Sequence, residues 1–165
     1  MATTTQLTAD QYLKMHFEDL EPEFVHGELI ERPMPTSLHA WLTHLLSMRL
    51  HRAGFCLAGV RCRLPEDVFR IPDLEVFTTF PERIPTSPPL IVVEIISPDD
   101  RYSDLMKKLD GYRAWGVEHI WIVEPETRKF HVYESRGLIE AKQFELPEAG
   151  IRITADELFA EATGR

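Results

Sequence analysis

The run "PPLIVVEIISPDD" sets one carboxylate, Glu94, in a row of branched apolar residues that otherwise reads as a strand buried on both faces. A carboxylate there is costly unless it is paired, hydrogen-bonded or bound to a cation. Asp73, in "RIPDLEVF", stands 21 residues earlier at the start of another predicted strand. If the two strands are neighbours, two carboxylates converge. Mg²⁺ takes oxygen ligands in octahedral geometry and keeps several waters, so one or two carboxylates plus a substrate phosphate suffice to hold it. Lys108 follows Glu94 by 14 residues, on the helix predicted for "SDLMKKLDGYRAWGV". A helix returning over the strand brings one ammonium back toward the acids. There it could orient an attacking water or stabilise charge on a pentacoordinate phosphorus. Lys107 lies about 100° around that helix, so only one of the two lysines points inward. The bland alternative for Glu94 is a buried ion pair to Arg63, Arg70 or Arg101.

Elements must position these residues. Thr8 is the expected N-cap of a short helix carrying Tyr12, Leu13 and Phe17. "EFVHGELIERP" reads as a strand pair or a bent strand around Gly27. Leu38, Trp41, Leu42, Leu45, Leu46 and Leu50 recur at near-helical spacing up to Gly54, so a long helix packs there on a sheet. "FCLAGVRCRL" and "FRIPDLEVF" are expected as two strands joined by "PED". Ser103 is the expected cap of the later helix, with Leu105, Leu109, Tyr112 and Trp115 as its apolar stripe. "EHIWIVEP", "RKFHVYES" and "LIEAKQFEL" read as an antiparallel meander, and "ITADELFAEA" as a final helix. The order implies a mixed α+β or α/β fold, a central mixed sheet flanked by helices, in a single domain over residues 1–165.

Composition narrows the function. Lys and Arg number 18 against 27 Asp and Glu, a net charge of −9, which argues against a broad basic surface for nucleic acid but not against a local groove or a metal-bridged phosphate contact. Cys56 and Cys62 are the only cysteines, too few for a disulfide scaffold or a zinc site, and no signal peptide is recognisable. A cytoplasmic protein is the expectation. No apolar run is long enough to span a bilayer. His39 and His44 are five apart and do not stack as a metal pair; His44 reads as structural. Trp41, Trp115 and Trp121 are expected in the core or a dimer contact. Dinucleotide, P-loop and serine-hydrolase motifs are absent.

The segments "EFVHGELIE", "RIPDLEVF", "LIVVEIISP" and "DLMKKLDGYRAWGVEHIWIVEPETRKFHVYE" together resemble the Uma family of restriction-endonuclease-like bacterial proteins, within the PD-(D/E)XK nuclease superfamily. The resemblance covers most of the chain. It implies a restriction-endonuclease-like core and cleavage of phosphodiesters with Mg²⁺ or Mn²⁺. Pro72 and Asp73 match the "PD" and Glu94 the second acid. The superfamily's lysine two residues after that acid is replaced by Ile96, and the family's spacing from Asp104 to Gly116 selects Lys108 over Lys107. By the same analogy the backbone carbonyl of Ile95 is a further metal ligand. Glu23 and Glu28 match the family's early "E…GE" acids, one of which would support the site; His26 replaces an acid common before the glycine. His39 falls where the family tends to place a histidine, which suggests contact with substrate. The implied partner is nucleic acid, DNA first, and the implied assembly a homodimer. Two other readings stay open: a nuclease fold serving as a binding or assembly module without turnover, and an enzyme acting on a small phosphorylated molecule.

Overall fold

The computed structural model describes residues 6–164. Helix α1 (Ala9–Lys14) opens on the expected cap, in which Thr8 Oγ1 accepts from the Gln11 N–H at 3.2 Å and the Gln11 side chain accepts from the Thr8 N–H at 2.8 Å. Strands β1 (Glu23–Val25) and β2 (Glu28–Ile30) form the strand pair. Their two-residue turn puts both His26 and Gly27 at positive φ, 49° and 89°. That is the backbone of a tight hairpin, which explains the central glycine.

Helix α2 (Ser37–Leu50) is the long helix, capped by Thr36, whose hydroxyl accepts from the His39 N–H at 3.1 Å. The next stretch departs from the expected two strands. It forms four: β3 (Phe55–Leu57), β4 (Cys62–Leu64), β5 (Val68–Arg70) and β6 (Leu74–Phe77). The "PED" turn joins β4 to β5, with Glu66 and Asp67 at positive φ. Pro72 has no N–H for a ladder, and the chain leaves one sheet at Arg70 and enters another at Leu74. Thus β5 belongs to a four-stranded antiparallel sheet, order β2-β1-β5-β4, and β6 to the central sheet.

The central sheet comprises six strands. After β6 come β7 (Ile91–Ile95), helix α3 (Tyr102–Trp115), and the meander β8 (His119–Glu124), β9 (Lys129–Glu134) and β10 (Gly137–Ala141). The order is β10-β9-β8-β7-β6-β3, and only β7 and β8 run parallel, joined through α3. Arg101, not Ser103, occupies the cap position of α3, and no side chain caps it there. Gly116 ends α3 at φ 108°, taking the left-handed turn that a β-carbon would strain. The last expected meander strand breaks at Lys142: Gln143–Leu146 (β11) turns away to pair with Ile151–Thr154 (β12), and α4 (Ala155–Thr163) follows.

Side-chain alternation divides the core. Ile91, Val93 and Ile95 of β7 pack with Leu42, Leu45 and Leu46 of α2 and Leu158 of α4. Val92 faces the other way, onto Leu109 and Tyr112 of α3. A third cluster, Tyr12, Phe24 and Phe69, ties α1 to the smaller sheet. Strand β7 is therefore covered on both faces, as its unbroken apolar run requires. Trp115 and Trp121 are buried as expected, whereas Trp41 is 45% exposed and stacks on His44. At the start of α2 that tryptophan lies on the solvent side of the leucine stripe. Among the described residues no helix is long and apolar enough to cross a membrane.

Candidate active site

Strands β6 and β7 are antiparallel, with Leu74 opposite Val93 and Glu75 opposite Val92. Carrying that register one residue further sets Asp73 against Glu94. The link is direct: Asp73 Oδ2 accepts the Ile95 N–H at 2.7 Å. From the first turns of α2, His39 Nε2 comes to 3.2 Å from Asp73 Oδ1. Both oxygens of Asp73 are thus held, one by β7 and one by α2.

Glu94, only 6% exposed, meets α3. Lys108 Nζ is 2.8 Å from Glu94 Oε1, and one turn later the Tyr112 hydroxyl donates to the same oxygen at 2.6 Å. These two residues are i and i+4 on one helix face. Lys107 is exposed. Both contacts fall on Glu94 Oε1. Lys108 Nζ also reaches Glu23 Oε1 at 3.1 Å. Glu23 is itself saturated, because Oε1 accepts the Ile71 N–H at 2.8 Å and Oε2 the Arg70 guanidinium at 2.9 Å. Of the three arginines weighed as partners of Glu94, Arg70 belongs to Glu23 and Arg63 to Asp67, and Glu23 anchors Lys108. Glu28, on exposed β2, is not brought to this cluster.

The electrostatics follow from burial and neighbours. Burial pushes the Glu94 carboxyl up, as do the Asp73 and Glu23 charges, and Lys108 only partly offsets them, leaving it at about 7. For Lys108 burial works against the ammonium, but Glu23, Glu94 and Asp73 outweigh it and hold the proton more firmly than in free lysine. Asp73 and Glu23 go below the ordinary carboxylate range despite burial, the first through His39 and Lys108, the second through Lys108 and Arg70. The hydrogen bond to Asp73 raises His39.

The cluster opens into a cleft of about 670 Å³ bounded by the β2–α2 and β7–α3 loops; Asp73, Glu94, Ile95, Lys108 and His39 all line it. Among the described residues no three His, Cys, Asp or Glu side chains stand together as a metal cage. A full protein cage of the zinc or calcium kind does not fit. Magnesium or manganese does, since it binds through one or two carboxylates and completes its shell with water and substrate oxygens. The presence of Asp73 and the nearly buried Glu94 side by side in the lining of the cleft is the observation that supports that fit.

Sequence reading missed one polar partner of the cluster and one buried acid near it. Tyr112 passed as part of an apolar stripe, although a buried tyrosine i+4 from a lysine candidate is a signal for a hydroxyl in use. Glu75 is fully buried on the α3 side of β6, 3.7 Å from the Cys62 thiol, and among the described residues its Oε2 has no partner. Burial and the nearby Glu94 raise its carboxyl well above the ordinary range, which favours the neutral acid. Its position two residues from Asp73 on an alternating strand was the available sign.

A central mixed sheet with acids at facing positions on adjacent strands, flanked by helices on both sides, is the restriction-endonuclease-like class of fold. A solved structure shares it: a putative nuclease of the DUF820 group from Anabaena variabilis ATCC 29413 superposes with a TM-score of 0.81 over 94% of this chain and 99% of that one, at 20% sequence identity. The chain belongs to the Uma2 family, described as "putative restriction endonuclease", whose model matches residues 9–162. Among proteins of curated function none matches.

Proposed function

We propose that this chain is a metal-dependent nuclease that hydrolyses phosphodiester bonds of nucleic acid. The observation that carries the reading is the meeting of Lys108 with Glu94, beside Asp73, at the wall of an open cleft. Asp73, Glu94 and the Ile95 carbonyl would hold Mg²⁺ or Mn²⁺. When bound, such a cation lowers the pKa of a coordinated water and neutralises charge developing on the phosphoryl oxygens. Lys108, with its ammonium between Glu94 and Glu23, would serve as an electrostatic group and hydrogen-bond donor that orients the water or the phosphoryl oxygen. The water oxygen would add to phosphorus as its proton passes to solvent, the bond to one sugar oxygen would break, and that oxygen would take a proton from solvent to leave as a hydroxyl. Glu23, fixed by Arg70 and the Ile71 N–H, keeps Lys108 in place, and His39 orients Asp73.

The test is cleavage of supercoiled plasmid and of single-stranded and duplex oligonucleotides in Mg²⁺ or Mn²⁺, comparing the native chain with Asp73→Ala, Glu94→Ala and Lys108→Ala. Metal-dependent cutting that each substitution abolishes is expected. Cutting that survives all three removes these residues from the mechanism. The net charge of −9 favours a second reading, a binding or assembly module without turnover. Titration calorimetry with Mn²⁺ separates them, because a module that has lost its site shows no heat dependent on Asp73 and Glu94.

A further inference from the structure

The cleft itself bears on the form of nucleic acid it takes. Its volume of about 670 Å³ is that of a cleft that takes a small ligand or a single nucleotide unit. Its mouth is acidic. Glu31, Asp99, Asp100, Asp104 and Glu126 stand exposed around it against two arginines, Arg32 and Arg101, neither of which forms an ion pair among the described residues. A duplex laid across this mouth brings two phosphate strands against five carboxylates, with two guanidiniums to offset them.

One wall is different in kind. Leu20, Ile30 and Met34 line it and are 36%, 38% and 73% exposed, with Pro33 and Pro35 stiffening the β2–α2 loop between them. Exposed apolar surface beside a polar site suits the flat face of a base. In a paired duplex those faces are already stacked, so only an unpaired nucleotide can present one. Asp73, Glu94 and Lys108 line the same cleft.

Resting on the hydrolytic reading above, we infer that the cleft admits an unpaired strand, a single-stranded segment or frayed end, and excludes intact duplex. A base lies against Leu20, Ile30 and Met34, a flanking phosphate reaches Arg32 or Arg101, and the scissile phosphate reaches Lys108.

Two readouts test this. Fluorescence anisotropy in Mg²⁺, on the native chain and on Lys108→Ala, compares an end-labelled single strand with a blunt duplex of the same sequence. The strand is expected to bind at least ~10-fold more tightly, with a shallow salt dependence of roughly −0.7 per phosphate for one or two phosphates. Met34→Asp is expected to weaken strand binding several-fold without lowering the melting temperature. Replacing Arg32 and Arg101 together by alanine is expected to flatten the salt slope. Equal or tighter duplex binding, a slope indicating many phosphates, or no binding of either form overturns the inference. Turnover of the same oligonucleotides and of bis(4-nitrophenyl) phosphate decides the hydrolytic reading separately. A strand that binds and is never cut defeats that reading alone, whereas diester hydrolysis dependent on Asp73 without strand binding defeats this one alone.

Discussion

Tyr112 and Lys108 share a single oxygen of Glu94, so under the proposed metal-binding reading the hydroxyl would help set which oxygen faces a cation. Phenylalanine at 112 keeps the ring and its packing but removes the donor, freeing Glu94 to rotate or to draw Lys108 closer. Because partners of metal-holding groups typically contribute 10- to 100-fold, Tyr112→Phe is expected to weaken Mn²⁺ affinity and turnover by about 10-fold. Circular dichroism and calorimetric titration of one preparation check that the fold is retained while affinity falls. The same carboxyl imposes a pH dependence. With Glu94 at about 7 in the folded chain, above its ordinary value, the native state holds a proton that the unfolded state has lost. That contribution to stability is present at low pH and fades as pH rises toward 7. A cation must displace the proton, so Mn²⁺ affinity is expected to rise between about pH 6 and 8, with up to one proton released per ion at the acid end. Calorimetry in two buffers of different ionisation heat measures that release, and Glu94→Gln is expected to abolish it.

At the scale of elements, α3 carries the site on one face and solvent on the other. Lys107→Ala alters an exposed position and is expected to change stability by no more than about 0.5 kcal/mol. Lys108→Ala strips the shared ammonium from Glu23 and Glu94, and breaking such a buried pair typically costs about 3–5 kcal/mol. Denaturant melts at pH 8 and pH 5.5 distinguish the mechanism from lost packing: the loss is expected to shrink at the lower pH, where Glu94 takes up a proton. This helix was legible because a leucine–tyrosine–tryptophan stripe is local information. So were β7, from its unbroken apolar run, and the facing of Asp73 and Glu94, from two short strands in succession. The division of "FRIPDLEVF" between two sheets was not. Pro72 marked a break, but which sheet each half joins depends on Phe24 and Phe69 meeting across a long sequence gap. Likewise Arg70 was one of three arginines within plausible reach of Glu94. Its actual partner, Glu23, is fixed by the pairing of β1 with β5, a tertiary contact that leaves no periodic trace.

Across the whole molecule two electrostatic effects overlap, and any study of divalent ions must separate them. A chain with net charge −9 repels itself, so any salt stabilises it by screening, with a Debye length of about 8 Å at 0.15 M. A specific ion adds a second contribution that grows as RT ln(1 + [L]/Kd), about 2.7 kcal/mol at a hundredfold excess over Kd. NaCl and MgCl₂ at matched ionic strength therefore act differently on this protein. Both are expected to raise the melting temperature, and MgCl₂ further. The double substitution Asp73→Asn, Glu94→Gln removes two of the nine excess negative charges, so its screening response is expected to persist, slightly reduced. Its magnesium-specific increment is expected to vanish. Differential scanning calorimetry of native and substituted chains in the two salts reads both quantities at once. An increment that survives the double substitution places the ion elsewhere on the acidic surface, and one absent from the native chain means that the paired acids hold no magnesium without a substrate phosphate to complete its shell.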